Sequence, residues 1–170
     1  MGLGNGRSRN KLESMMTTRL RVLAFVMVFA ALVPQAAIAQ RKTDAAAHQL
    51  FEAVNRERAS QGLAQLKWDD ALASAARQHA EAMAARNTLG HQLPDEPGLS
   101  TRATKAGVRF VWLSENVAEG ATAANITDQW MHSPTHRANV LDTDMDTVGI
   151  GVAERNGILF AAADFCKVRR

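Results

Sequence analysis

The segments SEN at 114–116 and WMHSPTHR at 130–137 place polar side chains within otherwise apolar sequence. Glu115 follows Ser114 and the apolar run FVWL at 110–113, which is typical of a buried segment. An unpaired carboxylate is unfavourable in such surroundings, because it loses its hydration without gaining a hydrogen bond. Glu115 is therefore expected to have a partner.

Two histidines are the candidate partners of Glu115. His136, in the second segment, is the natural candidate, and His91 is the other. Asn116, next to Glu115, is expected to have a structural role, because a side-chain amide can hydrogen-bond to nearby backbone and hold a loop in place.

Pro134 is expected to break the helical pattern between His132 and His136. The residue before a proline avoids helical backbone angles, whereas proline itself fits the first position of a helix. Ser133 is therefore predicted to be the N-cap of a short helix over 134–140. This break removes the spacing that would allow His132 and His136 to chelate one zinc ion from a single helix face.

Four further helices are predicted from capping residues that precede helical segments. They run from Thr43 or Asp44 to about Ser60, from Asp69 or Asp70 to about Arg86, from Ser100 to Ala106, and from Asn125 to His132. The many alanines of the second helix suggest close packing on a sheet, and His79 on its alanine-rich face is expected to be a satisfied or half-exposed histidine. Trp130 in the last helix is expected to face inward.

Strands are predicted over 108–113, 148–153 and 158–161. Asn156-Gly157 between the last two is a strong signal for a tight hairpin. Gly149 and Gly151 suggest that another backbone approaches this strand closely from one side. In this interpretation Glu115 and Asn116 follow the first strand.

Residues 1–39 have the pattern of a secretion signal. Arg19 and Arg21 precede an apolar run over 22–33, and Ala37-Ile38-Ala39 is a small-x-small cleavage pattern before Gln40. The apolar run is short for a membrane span, so an uncleaved membrane anchor is the less favoured alternative. We expect an exported protein, periplasmic or extracellular, in which 40–44 is a short polar link and 45–168 a single domain.

The charge of the chain is concentrated in the leader. The formal net charge is +3, but residues 1–40 carry five basic groups against one acidic group, so the remainder has a net charge of −1. The predicted domain therefore has no excess positive charge to drive nucleic-acid binding. Cys166 is the only cysteine, which excludes an internal disulfide; a half-buried thiol is favoured over a bridge between chains.

Five motifs in order resemble the CAP superfamily, which includes cysteine-rich secretory proteins, venom antigens and plant pathogenesis-related proteins. They are Trp68-Asp69 with Leu72, Gly90-His91, Ser114–Ala118, the Trp130–Leu141 segment, and Val148–Val152. The resemblance covers about residues 45–165 and is closest to the bacterial branch. It implies an α+β fold, a three-layer α/β/α sandwich with a small antiparallel sheet.

The resemblance also implies a surface cleft lined by two histidines and two acidic residues. His91 and His136 match the histidines, and Glu115 matches the glutamate of a Gly-Glu-Asn motif in which Ser114 replaces the glycine. Ser133 stands where the second acidic residue is expected. The imidazoles of His91 and His136 could bind zinc or another divalent cation, with Glu115 orienting one of them.

These residues leave several functions open. The first hypothesis is a secreted, non-enzymatic CAP domain of the cell envelope, monomeric, whose cleft around His91, Glu115, Asn116, Ser133 and His136 binds a lipid or other small apolar ligand and a divalent cation. The alternatives are a metal-dependent, peptidase-like hydrolase that uses His136 and Glu115, and a module that binds another envelope protein. A further alternative is that Glu115 and the histidines form only a buried polar network that holds helices on the sheet.

Overall fold

The computed structural model describes residues 35–169, and the predicted leader before residue 35 lies outside them. The elements are helix α1 (Gln35–Ser60), strand β1 (Lys67–Trp68), helix α2 (Asp70–Arg86), helix α3 (Leu99–Lys105), strand β2 (Phe110–Gly120), helix α4 (Ala123–His132), helix α5 (Pro134–Val140), strand β3 (Thr147–Arg155) and strand β4 (Ile158–Val168).

The strands form one sheet in the order β1-β3-β4-β2. The pairs β2–β4 and β3–β4 are antiparallel, as predicted, whereas the two-residue β1 adds a parallel pair to the edge of β3. Strands β3 and β4 are joined at Asn156-Gly157, with φ angles of 52° and 81°. Two positive φ angles are what a two-residue turn of type I′ requires, so the predicted hairpin is confirmed.

Helices cover both faces of the sheet, which confirms the three-layer sandwich. Side chains of a strand alternate between the two faces. On β4, Ala161, Ala163 and Phe165 pack with the apolar residues of α1, α4 and α5, Trp130 among them. The intervening Phe160 and Ala162 pack with the alanines and Met83 of α2. Among residues 35–169, the buried apolar residues lie between Ala46 and Cys166, so the compact unit Ala39–Arg170 carries its own core.

Helix α2 lies directly on the backbone of β3. A Cβ atom built on Gly149 would lie 2.2 Å from the backbone N of Ala73, and one on Gly151 would lie 2.0 Å from the backbone N of Arg77. Real Cβ atoms do not approach other atoms so closely, so glycine is required at both positions. The predicted close approach of a second backbone is confirmed.

Several predicted helix starts are wrong. Helix α1 already includes residues 40–44, which were expected to be a link, and the hydroxyl of Thr43 donates to the carbonyl oxygen of Gln40 within the helix at 2.9 Å. Helix α3 is capped by Gly98 instead of Ser100, and α4 by Thr122, whose hydroxyl accepts from the backbone N–H of Asn125. Serine, threonine, asparagine and aspartate are all good caps, so neighbouring candidates cannot be separated by type alone.

Two predicted caps are confirmed. Of the two candidates Asp69 and Asp70, Asp69 is the cap of α2: its carboxylate accepts from the backbone N–H of Leu72 at 2.7 Å. The hydroxyl of Ser133 accepts from the backbone N–H of His136 and starts α5. The thiol of Cys166 is fully buried instead of half-buried, and burial raises its pKa to about 11.

Candidate functional site

Glu115 lies within β2, not in a loop after it, because β2 runs on to Gly120. Its side chain points to the same face as Val117, which packs against α2, and the residue is 7% exposed. The carboxylate oxygen Oε2 accepts a hydrogen bond from Nδ1 of His91 at 2.9 Å. Of the two predicted partners, the structure therefore gives Glu115 a hydrogen bond to His91 and none to His136 among residues 35–169.

Arg102, on α3, is the cation that compensates Glu115. Its Nη2 donates to Oε1 of Glu115, and its Nη1 donates to the carbonyl oxygens of His91 at 3.3 Å and Pro97 at 3.2 Å. The guanidinium thus holds both the carboxylate and the loop that carries His91. Sequence reasoning missed Arg102, and the only signal for it was the general need of a buried carboxylate for an opposite charge.

His136 reaches the same place from α5. Its ring centroid lies 6.5 Å from that of His91, with an angle of 54° between the ring planes. No hydrogen bond within residues 35–169 occupies the ring nitrogens of His136. Partial burial lowers the pKa of His136, and the neighbouring His91 lowers it further. The neutral imidazole, which is the form that binds cations, is therefore favoured.

Asn116 fixes the position of α5 relative to β2. It is fully buried on the sheet face opposite to Glu115, and its Nδ2 donates to the carbonyl oxygen of His136 at 2.9 Å. Its Oδ1 accepts from Nδ2 of Asn139 at 2.8 Å, and that amide also lies 3.3 Å from the carbonyl oxygen of Glu115. Asn116 therefore binds backbone as predicted, but it lies in strand β2 and holds helix α5 instead of a loop.

A second carboxyl group lies beside Glu115. Asp164 on β4 is directly opposite Glu115 in the strand register and is fully buried. Neither of its oxygens accepts a hydrogen bond from a donor within residues 35–169. Burial raises the pKa of Asp164 well above its usual value, the charge of Glu115 raises it further, and Arg102 opposes the shift. A protonated, neutral Asp164 is the form that this environment favours.

His79 completes the buried polar cluster on the α2 side. Its Nδ1 lies 2.8 and 2.9 Å from the carboxylate oxygens of Glu96, and its Nε2 lies 2.9 Å from the carbonyl oxygen of Gly90. The same Nε2 is 3.8 Å from Oε1 of Glu115. His79 is a satisfied, fully buried histidine next to the loop that carries His91.

The remaining predicted residues do not supply a nucleophile. The hydroxyl of Ser133 faces the backbone N–H of His136 at 3.5 Å, as a cap does, and the hydroxyl of Ser114 is buried without a partner within residues 35–169. His132 is exposed and binds the carbonyl oxygen and carboxylate of Asp128, so it stands apart from the pair formed by His91 and His136.

The donor set fits an open cation site and does not fit a closed structural one. Two imidazoles bound to one zinc ion through bonds of about 2.0–2.1 Å have ring centroids roughly 5–6 Å apart. The 6.5 Å between His91 and His136 is close to this range. Within residues 35–169 no group of three or more His, Cys, Asp or Glu side chains has the arrangement of a metal site. The residues present would therefore leave most coordination positions to water or to a ligand.

Comparisons with known proteins identify the family and the fold of the chain. The model of the cysteine-rich secretory protein family (CAP) matches residues 51–165. The YkwD protein of Bacillus subtilis strain 168 is 31% identical over 110 residues, which are 64% of this chain and 43% of YkwD. This chain thus spans less than half of the length of that relative.

Two of the solved structures with the same fold are those of a bacterial extracellular protein and a bacterial outer surface protein. An extracellular protein of Bacillus anthracis containing an SCP domain has a TM-score of 0.69 and 26% identity, covering 82% of this chain and 44% of that one. An outer surface protein of Borrelia burgdorferi has a TM-score of 0.65 and 24% identity, covering 71% of this chain and 90% of that one. Within residues 35–169, none of the helices combines the length and hydrophobicity needed to span a bilayer.

Proposed function

This chain belongs to the cysteine-rich secretory protein (CAP) family, and from that membership and the site geometry we propose that it is an exported domain of the bacterial cell envelope that binds a ligand. The centre of the proposed site is the pair His91 and His136, with Glu115 behind His91. The proposed role is binding, and a serine-based hydrolysis has no support here, because the hydroxyl of Ser133 caps a helix and that of Ser114 is buried.

One observation carries the proposal: the buried carboxylate of Glu115 holds Nδ1 of the exposed His91 at 2.9 Å. A carboxylate bound to one ring nitrogen fixes the orientation of an imidazole and leaves the other nitrogen, Nε2, to act as a ligand. Such partners are typical of histidines that bind metal ions. Arg102 strengthens the arrangement, because it fixes Glu115 and binds the carbonyl oxygen of His91.

The cation class follows from the donors. Neutral imidazoles suit zinc and related divalent transition metals, and a site with two protein ligands keeps open positions. A cation bound there would offer these positions to a small ligand. Asn116 and Ser133 hold helix α5 in place through the backbone of His136. Asn116 donates to the carbonyl oxygen of His136, and Ser133 accepts from its backbone N–H.

The test of the site is calorimetric titration of residues 40–170 with zinc. We expect one binding event, which is lost in His91→Ala and in His136→Ala. Glu115→Gln should weaken it about 10- to 100-fold, the effect typical of removing a partner behind a metal ligand. His132→Ala is the matched control, because His132 is exposed and outside the site. Absence of heat, or equal binding by the variants of His91 and His136, would overturn the proposal.

Export is tested separately. The full chain would be expressed in a bacterial host, and the cell fractions would be analysed by intact-mass spectrometry. We expect a mature chain in the envelope or medium that begins at Gln40, after the small-x-small pattern at 37–39. A chain that stays in the cytoplasm with residues 1–39 attached would contradict export without affecting the cation site.

A further inference from the structure

Two large apolar side chains are exposed side by side at the start of β2. Val111 is 62% exposed and Trp112 is 61% exposed. Neighbouring side chains on a regular strand point to opposite faces, so one of them would normally turn inward. Here the register with β4 shifts between Phe110 and Trp112, and this irregularity accompanies the exposure of both side chains. We call the surface formed by Arg109, Val111, Trp112, Lys167 and Arg169 the β2 corner.

Three basic residues lie next to the apolar pair at the paired ends of β2 and β4. Lys167 is the cross-strand partner of Trp112, and the backbone N–H of Arg169 donates to the carbonyl oxygen of Arg109 at 3.0 Å. Nζ of Lys167 also forms an ion pair with Oδ2 of Asp146 at 3.4 Å. Arg109 and Arg169 have no acidic side chain within 4.0 Å among residues 35–169, and both are exposed.

This local excess of positive charge contrasts with the rest of the domain. Residues 41–170 have a net charge of −1, since the leader carries the positive charge of the chain. The positive charge of the β2 corner is thus a local feature and does not reflect a generally basic surface. An attraction of the β2 corner to an anionic surface would be local and orientation-dependent.

We propose that the β2 corner is a docking site for the surface of a bilayer that contains anionic lipids. Tryptophan favours the interface between water and hydrocarbon, because its ring is apolar while its N–H is polar. Lysine and arginine next to it would bind the anionic head groups. Two apolar side chains form a small patch compared with the roughly 800 Å² that each partner buries in a stable protein complex.

Peripheral binding of this kind would place the domain on a membrane without a spanning helix. It is independent of the cation site, because the β2 corner shares no residue with the pair of histidines. Each basic side chain near an anionic membrane surface contributes about 1 kcal/mol, so the loss of two should weaken binding about 25-fold at 1.4 kcal/mol per tenfold.

The test is co-sedimentation of residues 40–170 with phosphatidylcholine vesicles that contain or lack phosphatidylglycerol. Residues 1–39 are omitted because their apolar run would itself partition into lipid. We expect binding only to the phosphatidylglycerol vesicles, weakened by high salt and reduced about 25-fold in Arg109→Gln/Arg169→Gln. Arg41→Gln/Arg56→Gln is the control: it removes the same charge from exposed sites on α1 and should leave binding unchanged.

Two tryptophan variants separate the apolar contribution from the charge. Trp112→Ser should abolish binding, whereas Trp112→Phe should keep most of it and lose the blue shift of tryptophan emission on adding vesicles. Ile158→Ser, at the other end of β4, is the apolar control and should bind as wild type does. Absence of sedimentation with phosphatidylglycerol vesicles, or equal loss in the control variants, would overturn the proposal. Self-association that depends on Trp112, without vesicle binding, would also overturn it and assign the corner to a protein partner.

Discussion

Replacement of Arg102 by methionine should destabilise the domain strongly. The side chain of Arg102 is 6% exposed, and that of its partner Glu115 is 3% exposed, so water screens the pair little. Methionine fills a similar volume but leaves the carboxylate of Glu115 buried beside Asp164 without a cation. Removing one partner of a buried ion pair costs about 3–5 kcal/mol, and the lost bonds to the carbonyl oxygens of His91 and Pro97 put Arg102→Met at the upper end of that range.

The assay is urea denaturation at pH 7 of Arg102→Met, Glu115→Gln and the double variant, analysed by linear extrapolation. Because the double variant buries no charge at this pair, we expect it to be about 2 kcal/mol more stable than the sum of the single effects predicts. Arg86→Met is the control, since Arg86 is exposed and makes one long bond of 3.4 Å. Additive effects within about 0.5 kcal/mol, or an Arg102→Met variant as stable as the control, would refute the assigned role of the guanidinium. If Arg102→Met alone fails to fold, a folded double variant still supports the pairing.

Two further predictions concern the packing of α2 and the buried acid. Gly151→Ala should destabilise the domain by about 3 kcal/mol or more, because the new Cβ would lie 2.0 Å from the backbone N of Arg77. This is the upper end of the roughly 1–3 kcal/mol that overpacking typically costs. Gly98→Ala, whose Cβ would meet its nearest atom at 3.5 Å, should cost only about 1 kcal/mol, the loss typical of placing alanine at an N-cap, and equal denaturation midpoints for the two variants would contradict the reasoning. Asp164 has a raised pKa because its buried surroundings disfavour the charged form, so its contribution to stability is fully present below the usual aspartate value of about 3.9 and is lost as pH rises towards the pKa of the folded state. Asp164→Asn removes the ionisable group, so the free energy of unfolding of this variant, relative to that of the wild type, should increase between about pH 4 and pH 7. A difference between the two proteins that does not change with pH would exclude the charge of Asp164 as the cause.

The candidate site could be predicted in part. The motifs marked His91, Glu115 and His136, and the structure brings these residues together. The motifs did not show which histidine binds Glu115, since both lie far from it in sequence and either was chemically suitable. Arg102 was missed because an isolated arginine in a short helix has no pattern that distinguishes it from a surface residue. Asp164 was missed because it interrupts an apolar strand without any motif of its own.

The sequence by itself determined the features whose causes lie within a few residues of one another. Asn156-Gly157 specified the turn of the hairpin, Ser133-Pro134 specified the break between α4 and α5, and the pair Asp69-Asp70 specified the start of α2. Local backbone preferences and short-range hydrogen bonds decide such features, and they act before the chain has a tertiary structure.

The tertiary structure alone decided how the charges are compensated. Glu115 binds a histidine 24 residues earlier and an arginine 13 residues earlier, and it lies beside an aspartate on another strand. These pairings depend on which face of β2 is covered by α2 and α3, and a sequence pattern does not contain that information. The free energy of a buried charge depends on its surroundings in three dimensions, so only the folded chain shows that Arg102 is the partner on which the site depends.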